Sequence, residues 1–217
     1  MWKRRIPAML LAAALGFAGS SPVMADFESA VADLNSGNYA ASFQEFTRLS
    51  ELGDAAAQVR LGWHYEQGLG TAPDRALALR WYRASAEQGY PMALGVMGDV
   101  YSYGLGVPVD WAEAVRWYRL AAEKEVPSAQ VALAYAYETG QGIAQDEGQA
   151  LHWYNEAAIR NDPQGLYNLG AFYEHGRGGL EPDLILARTA YEKAAAQGHE
   201  QAREALARLG GPLPPVP

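Results

Sequence analysis

The sequence predicts an all-α solenoid, a stack of two-helix units laid one upon the next, and three observations predict it. The first is a period. Leu61-Gly62-Trp63-His64-Tyr65, Met97-Gly98-Asp99-Val100-Tyr101, Leu133-Ala134-Tyr135-Ala136-Tyr137 and Leu169-Gly170-Ala171-Phe172-Tyr173 share one pattern, and their tyrosines stand thirty-six positions apart. A fixed period of this length marks helical hairpins too small to bury an apolar face except against a neighbour. The second is phase: each period holds two stretches with apolar residues every three to four positions, parted by glycines. The third is composition. The chain has no cysteine and is 49% hydrophobic, so its stability has to come from packing.

Taken in order, the elements begin with a leader. Lys3, Arg4 and Arg5 precede the apolar run Ile6 to Gly19, and Val23-Met24-Ala25 offers the small residues a signal peptidase reads. Residues 1–25 are therefore expected to be a cleaved signal peptide, since a run of fourteen residues falls short of the roughly twenty a spanning helix needs. Its removal takes three of the seventeen basic residues and no acidic one, leaving fourteen against twenty-five, a balance of −11. Such a charge repels phosphate backbones and anionic headgroups, so nucleic acid is excluded as a partner and no membrane insertion is expected after cleavage.

Residues 26–53 read as a short capping hairpin. Helix A lies around Ala30 to Asn35, the turn is Ser36-Gly37-Asn38, and helix B carries Phe43, Phe46 and Leu49. Residues 54–199 hold four full repeats. In the first, Ala57, Leu61, Gly62 and Tyr65 line one face of helix A, and Gly68-Leu69-Gly70 stops it, glycine being suited to the left-handed conformation of a helix end. Asp74 opens helix B as an N-cap, Ala78, Trp81, Tyr82 and Ala86 form its apolar stripe, and Gly89 ends it. Asp110, Asp146 and Asp183 open helix B in the later repeats. Small residues beside large aromatics let helices approach and then fill the gap. Residues 200–209 close the stack as a capping helix, and 210–217, with four prolines, form a tail that cannot extend it and is expected to be disordered.

With Ala-x-x-x-Leu-Gly-x-x-Tyr, Gly-x-Gly and Asp-x-x-x-Ala-x-x-Trp-Tyr-x-x-x-Ala recurring in register from about Ala56 to Gln201, the chain resembles the Sel-1-like repeat family, relatives of tetratricopeptide repeats with a longer inter-helix loop. The resemblance implies a right-handed α/α superhelix acting as an adaptor, and brings no catalytic residues with it. Glu125 and Asn161 replace the glycine that ends helix B, and glutamate is the poorer substitute, so a different cap is expected at the end of the second repeat. Some secreted, cysteine-rich members bind or hydrolyse β-lactams, but the cysteines that staple their repeats are absent here.

No nucleophile elbow, phosphate loop or metal-ligand spacing is present among the serines, glycines and histidines, so no cofactor, metal or catalytic site is expected. The positions that recur in place but vary in identity are more informative. On helix A they are Val59, Trp63 and Glu66; Gly95, Asp99 and Ser102; Val131, Tyr135 and Glu138; and Tyr167, Ala171 and Glu174. Spacings of four and three put each trio on one helical face, opposite the apolar stripe, which in a tetratricopeptide-type superhelix lines the concave groove. Tyr103 lies one step along. Trp63, Glu66, Asp99, Tyr103, Tyr135, Glu138, Tyr167 and Glu174 are thus the candidate partner-binding residues, aromatics for anchoring and acids for steering. A second account of Trp63 and Tyr135 is packing against the next repeat. The expected protein is a non-enzymatic, monomeric scaffold, periplasmic or secreted, that binds a protein or peptide partner. The alternatives are an envelope hydrolase or β-lactam-binding enzyme, and a peptidoglycan or glycan binder using Trp63 and Tyr135 as stacking platforms.

Overall fold

A computed structural model describes residues 22–210, and among them are eleven α-helices and no strand. The described chain divides into two compact units, with the division between Pro108 and Val109, inside the second repeat. Residues 1–21 of the expected leader and 211–217 of the tail lie outside the described residues. No helix among the described residues is long and apolar enough to cross a membrane.

The first unit runs through α1 (Pro22–Asn35), α2 (Tyr39–Glu51), α3 (Ala55–Gln67), α4 (Arg75–Glu87) and α5 (Pro91–Tyr103), each packed on the one before. Ala30, Phe46, Leu49, Ala57 and Leu61 form the core of the capping hairpin and its junction with the first repeat. Helix α1 begins well ahead of Ala30, so residues 22–25 of the expected leader are helical. Two contacts on α2 hold this early turn: Phe27 meets Phe46 edge-on at 5.6 Å, and Asp26 pairs with Arg48 at 2.5 Å.

The second unit comprises α6 (Trp111–Glu123), α7 (Pro127–Thr139), α8 (Glu147–Ile159), α9 (Pro163–His175), α10 (Leu184–Ala196) and α11 (Glu200–Arg208). Again each helix packs on its predecessor, and α7 also touches α9. Ala134, Ala150, Tyr154 and Phe172 make one core cluster, and Leu166, Ala187, Tyr191, Ala194, Ala202 and Ala205 another. Ala114, the counterpart of Ala78 in the second repeat, is fully buried.

The helix ends follow the sequence closely. Asp74, Asp110 and Asp146 each accept the backbone N–H three residues on, at 2.9–3.0 Å, and Asp183 accepts two. Asp54, Asp162 and His199 cap α3, α9 and α11 in the same way, a role the sequence reading did not assign them. The expectation of a different cap after the second repeat is corrected. Glu125 takes φ +62, as Asn161 takes φ +60, and both ends close with the same pair of backbone bonds. The cost of a left-handed non-glycine residue is accepted because those bonds satisfy carbonyls that the helix end would otherwise leave open.

The second glycine of each Gly-x-Gly loop has a further duty. A Cβ on Gly70 would strike the Tyr39 carbonyl, one on Gly106 would lie 2.9 Å from Arg75 Cδ and Leu79 Cδ1, one on Gly142 would strike the Trp111 carbonyl, and one on Gly178 would lie 2.9 Å from the Glu147 carbonyl oxygen. Each loop therefore seats on the first turn of the preceding helix B; backbone leaves no room for a Cβ at Gly70, Gly142 and Gly178, while at Gly106 two flexible side chains would have to shift. Gly62 and Gly170 play the corresponding part inside a repeat, where a Cβ would lie 2.6 and 2.7 Å from the Tyr82 and Tyr191 rings.

His64 ties the capping hairpin to the first repeat. Its ring is fully buried, with Nδ1 2.7 Å from the Leu69 carbonyl and Nε2 3.2 Å from Ser42 Oγ. A carbonyl can only accept, so Nδ1 carries a proton, while Nε2 faces the Ser42 hydroxyl, whose one proton is shared with the Tyr39 carbonyl 3.2 Å away. Phe43, Phe46 and Trp63 surround the ring at 5.6–6.0 Å. Burial pushes the His64 pKa down, the Leu69 bond opposes this, and nearby Arg60 adds to the lowering. A folded pKa below the unfolded value of about 6.5 gives stability that is complete above that value and lost as pH falls. Between pH about 7.5 and about 5.5 the urea midpoint should therefore fall more steeply for the native chain than for His64→Gln. Parallel pH profiles for the two would contradict this reading of the buried ring.

Candidate partner-binding surface

The acids among the candidate residues are already engaged. Glu66, at the end of α3, accepts the Tyr82 hydroxyl at 2.9 Å. Glu138 accepts that of Tyr154 at 2.6 Å, and Glu174 that of Tyr191 at 2.8 Å. Each carboxylate satisfies the one polar atom of an almost fully buried tyrosine on helix B of its own repeat. Glu138 also pairs with Arg177 at 2.5 Å, and Glu174 with the Arg208 fork. Position and partner set the electrostatics. Burial raises the Glu66 pKa against the Tyr82 bond, whereas the Arg208 guanidinium holds Glu174 below the usual carboxylate range. Burial and a neighbouring carboxylate raise the pKa of all three tyrosines.

Arg177 organises the longer loop of the fourth repeat. It bridges Glu138 and Glu147, the latter at 2.6 Å, while its guanidinium lies 4.4 Å from the Phe172 ring centre. Arg177 and the Gly178 N–H hold the Glu147 carboxyl below its ordinary value. The arrangement neutralises acids where a steering surface needs them free.

The aromatic candidates fall into two groups. Trp63 is half-buried with its ring edge-on to His64, and Tyr167 is half-buried between Tyr191 at 5.7 Å and a stacked His199 at 4.8 Å. These two pack. Tyr103 and Tyr135 face water, at 56% and 44% exposure. Tyr135 has Trp111 as a neighbour, ring centres 6.3 Å apart, which the sequence reading did not bring to this surface. Asp99 is half-buried. The expected placement of each trio opposite the core is corrected for Val59, at 1% exposure, and for Ser102, at 5%.

Among the described residues no three His, Asp or Glu side chains gather as a metal site. The repeated pairs, Arg83 donating to Tyr101 at 3.1 Å and Arg119 to Tyr137 at 3.2 Å, join helix B to the next helix A and account for two of the four recurrent tyrosines. The class these features define is a helical-repeat protein whose recurring polar residues serve the stack itself.

The Sel1 repeat signature is matched at residues 55–90, 91–126, 127–162 and 163–199, and the chain belongs to the Sel1 repeat family. It is similar to a Sel1 repeat protein from Oxalobacter formigenes, with 30% identity and a TM-score of 0.78 over 84% of this chain and 74% of that one. It is also similar to a protective antigen of uropathogenic Escherichia coli strains displaying an SLR fold, with 39% identity and a TM-score of 0.71 over 74% of this chain. The match spans 34% of that antigen. An immunity protein from Pseudomonas aeruginosa shares the fold at 21% identity and a TM-score of 0.58, over 91% of this chain and 75% of that one. No curated protein matches the chain.

Proposed function

We propose that this protein is a non-enzymatic scaffold that works in the periplasm or outside the cell and holds a protein or peptide partner on the helix A surfaces of its repeats. Sel1 repeat proteins are generally protein-interaction scaffolds, which supports the class. The leader-like start of the sequence supports the compartment. The observation that carries the binding site is the exposure of Tyr103 and Tyr135 at varied positions of helix A, while the neighbouring acids are committed to internal bonds. Exposed tyrosines on rigid helices are effective anchors, because little side-chain freedom is lost on binding. In this reading Glu66, Glu138 and Glu174 support the surface through their tyrosine bonds, and the exposed tyrosines anchor the partner.

Crosslinking in living cells, followed by mass spectrometry of the captured protein, identifies the partner. Tyr135→Ala should then cost about 1–3 kcal/mol of affinity, mostly as faster dissociation, with the helical signal and melting temperature nearly unchanged. Unaltered binding by a folded Tyr103→Ala/Tyr135→Ala variant would move the contact to other faces.

A further inference from the structure

Helix α11 closes the terminal repeat, and its Ala202 and Ala205 pack with Leu166, Ala187, Tyr191 and Ala194. It lies on α10 as α7 lies on α6 and α9 on α8. With nine residues it is the shortest helix described, and Ala202 and Ala205 are its buried residues. A helix of this length is marginal by itself in water, so the ties at its two ends decide whether it stays in place. The tie at the last turn is ionic, from the Arg208 fork to Glu174 on α9. The tie at the first turn is His199. Its Nδ1 accepts the Ala202 N–H at 3.3 Å, its Nε2 lies 3.1 Å from Gln164 Oε1, and its ring stacks on Tyr167. Gln164 turns its amide N–H to Asn168, which leaves Oε1 towards the imidazole. An N–H can only donate, so Nδ1 is bare and Nε2 carries the one proton of a neutral ring.

A second proton has one place to go on this ring, Nδ1, where it meets the Ala202 N–H and removes the cap. It also sets a cation at the N-terminus of α11, the end at which the helix dipole repels it. Aspartates cap α3, α4, α6, α8, α9 and α10, and no side chain caps α2, α5 or α7. Among these helices, α11 is the one whose cap changes charge near neutral pH. We propose that His199 is an acid-operated latch on the C-terminal cap: protonation removes the N-cap of α11 and frees the helix to come away from Leu166, Ala187 and Tyr191. The surroundings of the ring fit this role. From α9, Tyr167 stacks on it and Asp162 acts on its charge; α10 brings Tyr191 behind Tyr167, with Arg188 and Glu192 paired to each other and Lys193 exposed; α11 brings the exposed Glu200, Arg203 and Glu204. Burial lowers the His199 pKa, and Asp162 opposes it. A folded value below the free one makes the latch complete above about pH 6.5 and loses it as pH falls. Glu174 is held below the usual carboxylate range, so the Arg208 tie lasts through that window.

The test follows the full chain by NMR at pH about 7.5 and about 5.5. At the higher pH the ring nitrogen shifts of His199 should report a bare Nδ1 and a protonated Nε2. Amide exchange along α11 from Ala202 onward, corrected for the intrinsic pH dependence of exchange, should quicken at the lower pH by up to about tenfold. That limit is the ratio of charged to neutral imidazole for a free ring of pKa about 6.5. His199→Asp supplies the kind of cap used on α9 and should keep α11 equally protected at both pH values. His199→Ala should show the quick exchange at both. An Nδ1-protonated ring at pH about 7.5 would overturn the proposal. So would α11 exchange that is the same at both pH values in the native chain, or that quickens equally in His199→Asp, which would place the acid response elsewhere.

Discussion

A Gly142→Val variant is expected to lose about 2–5 kcal/mol of stability, measured as the urea unfolding free energy. Two costs combine at this position. Gly142 has φ +70, which a β-branched residue adopts only with strain. Its Cβ would strike the Trp111 carbonyl and come 2.6 Å from the Ala112 nitrogen, which is backbone and cannot turn aside. Gly95→Ala is the matched comparison. Gly95 lies inside α5 with nothing within 4 Å of its Cβ position, so alanine there should be neutral or stabilising by up to about 1 kcal/mol. Similar losses at the two sites would show that loop seating contributes nothing.

Glu138→Leu is expected to cost about 2–4 kcal/mol, more than any loss from removing one surface charge. The substitution leaves the Tyr154 hydroxyl, on a ring only 1% exposed, without its acceptor, and takes one carboxylate from Arg177. Glu138→Gln retains an acceptor for Tyr154 and should recover a good part of the loss. Tyr154→Phe in the Glu138→Leu background should also recover part, because no buried hydroxyl then remains unpaired. A double-mutant cycle measures that recovery, and strict additivity of the two changes would dismiss the Tyr154–Glu138 bond as a support of the repeat.

The fold was legible because its signal repeats. The period, the glycine stops and the aspartate caps each recur, and a local rule stated four times is hard to misread. What remained hidden depends on partners far apart in sequence. Glu66, Glu138 and Glu174 look like a solvated acidic stripe until the helix B tyrosines, sixteen or seventeen residues on, are seen to donate to them. The coincidence of a helix A glutamate with a helix B tyrosine in three repeats was the available clue, and Ser102 breaks it in the second. His64 was equally hidden, because its acceptor lies in a loop and its second partner, Ser42, in the preceding hairpin. The early start of α1 depends on Asp26 and Phe27 finding Arg48 and Phe46, contacts that periodicity alone does not report.

The seated loop glycine also bears on how such a chain can change. In the fourth repeat the inter-helix loop holds one more residue than in the others, yet Gly178 keeps its distance from the end of α9 and its contact with Glu147. The extra residue falls after Gly178, in the stretch leading to Asp183. The one lengthened loop thus takes its extra residue downstream of the seated glycine and leaves the spacing before it unchanged. Because the same lock joins successive repeats, a whole repeat can be copied, deleted or exchanged without redesigning its neighbours, and variation in length is channelled into steps of one complete unit.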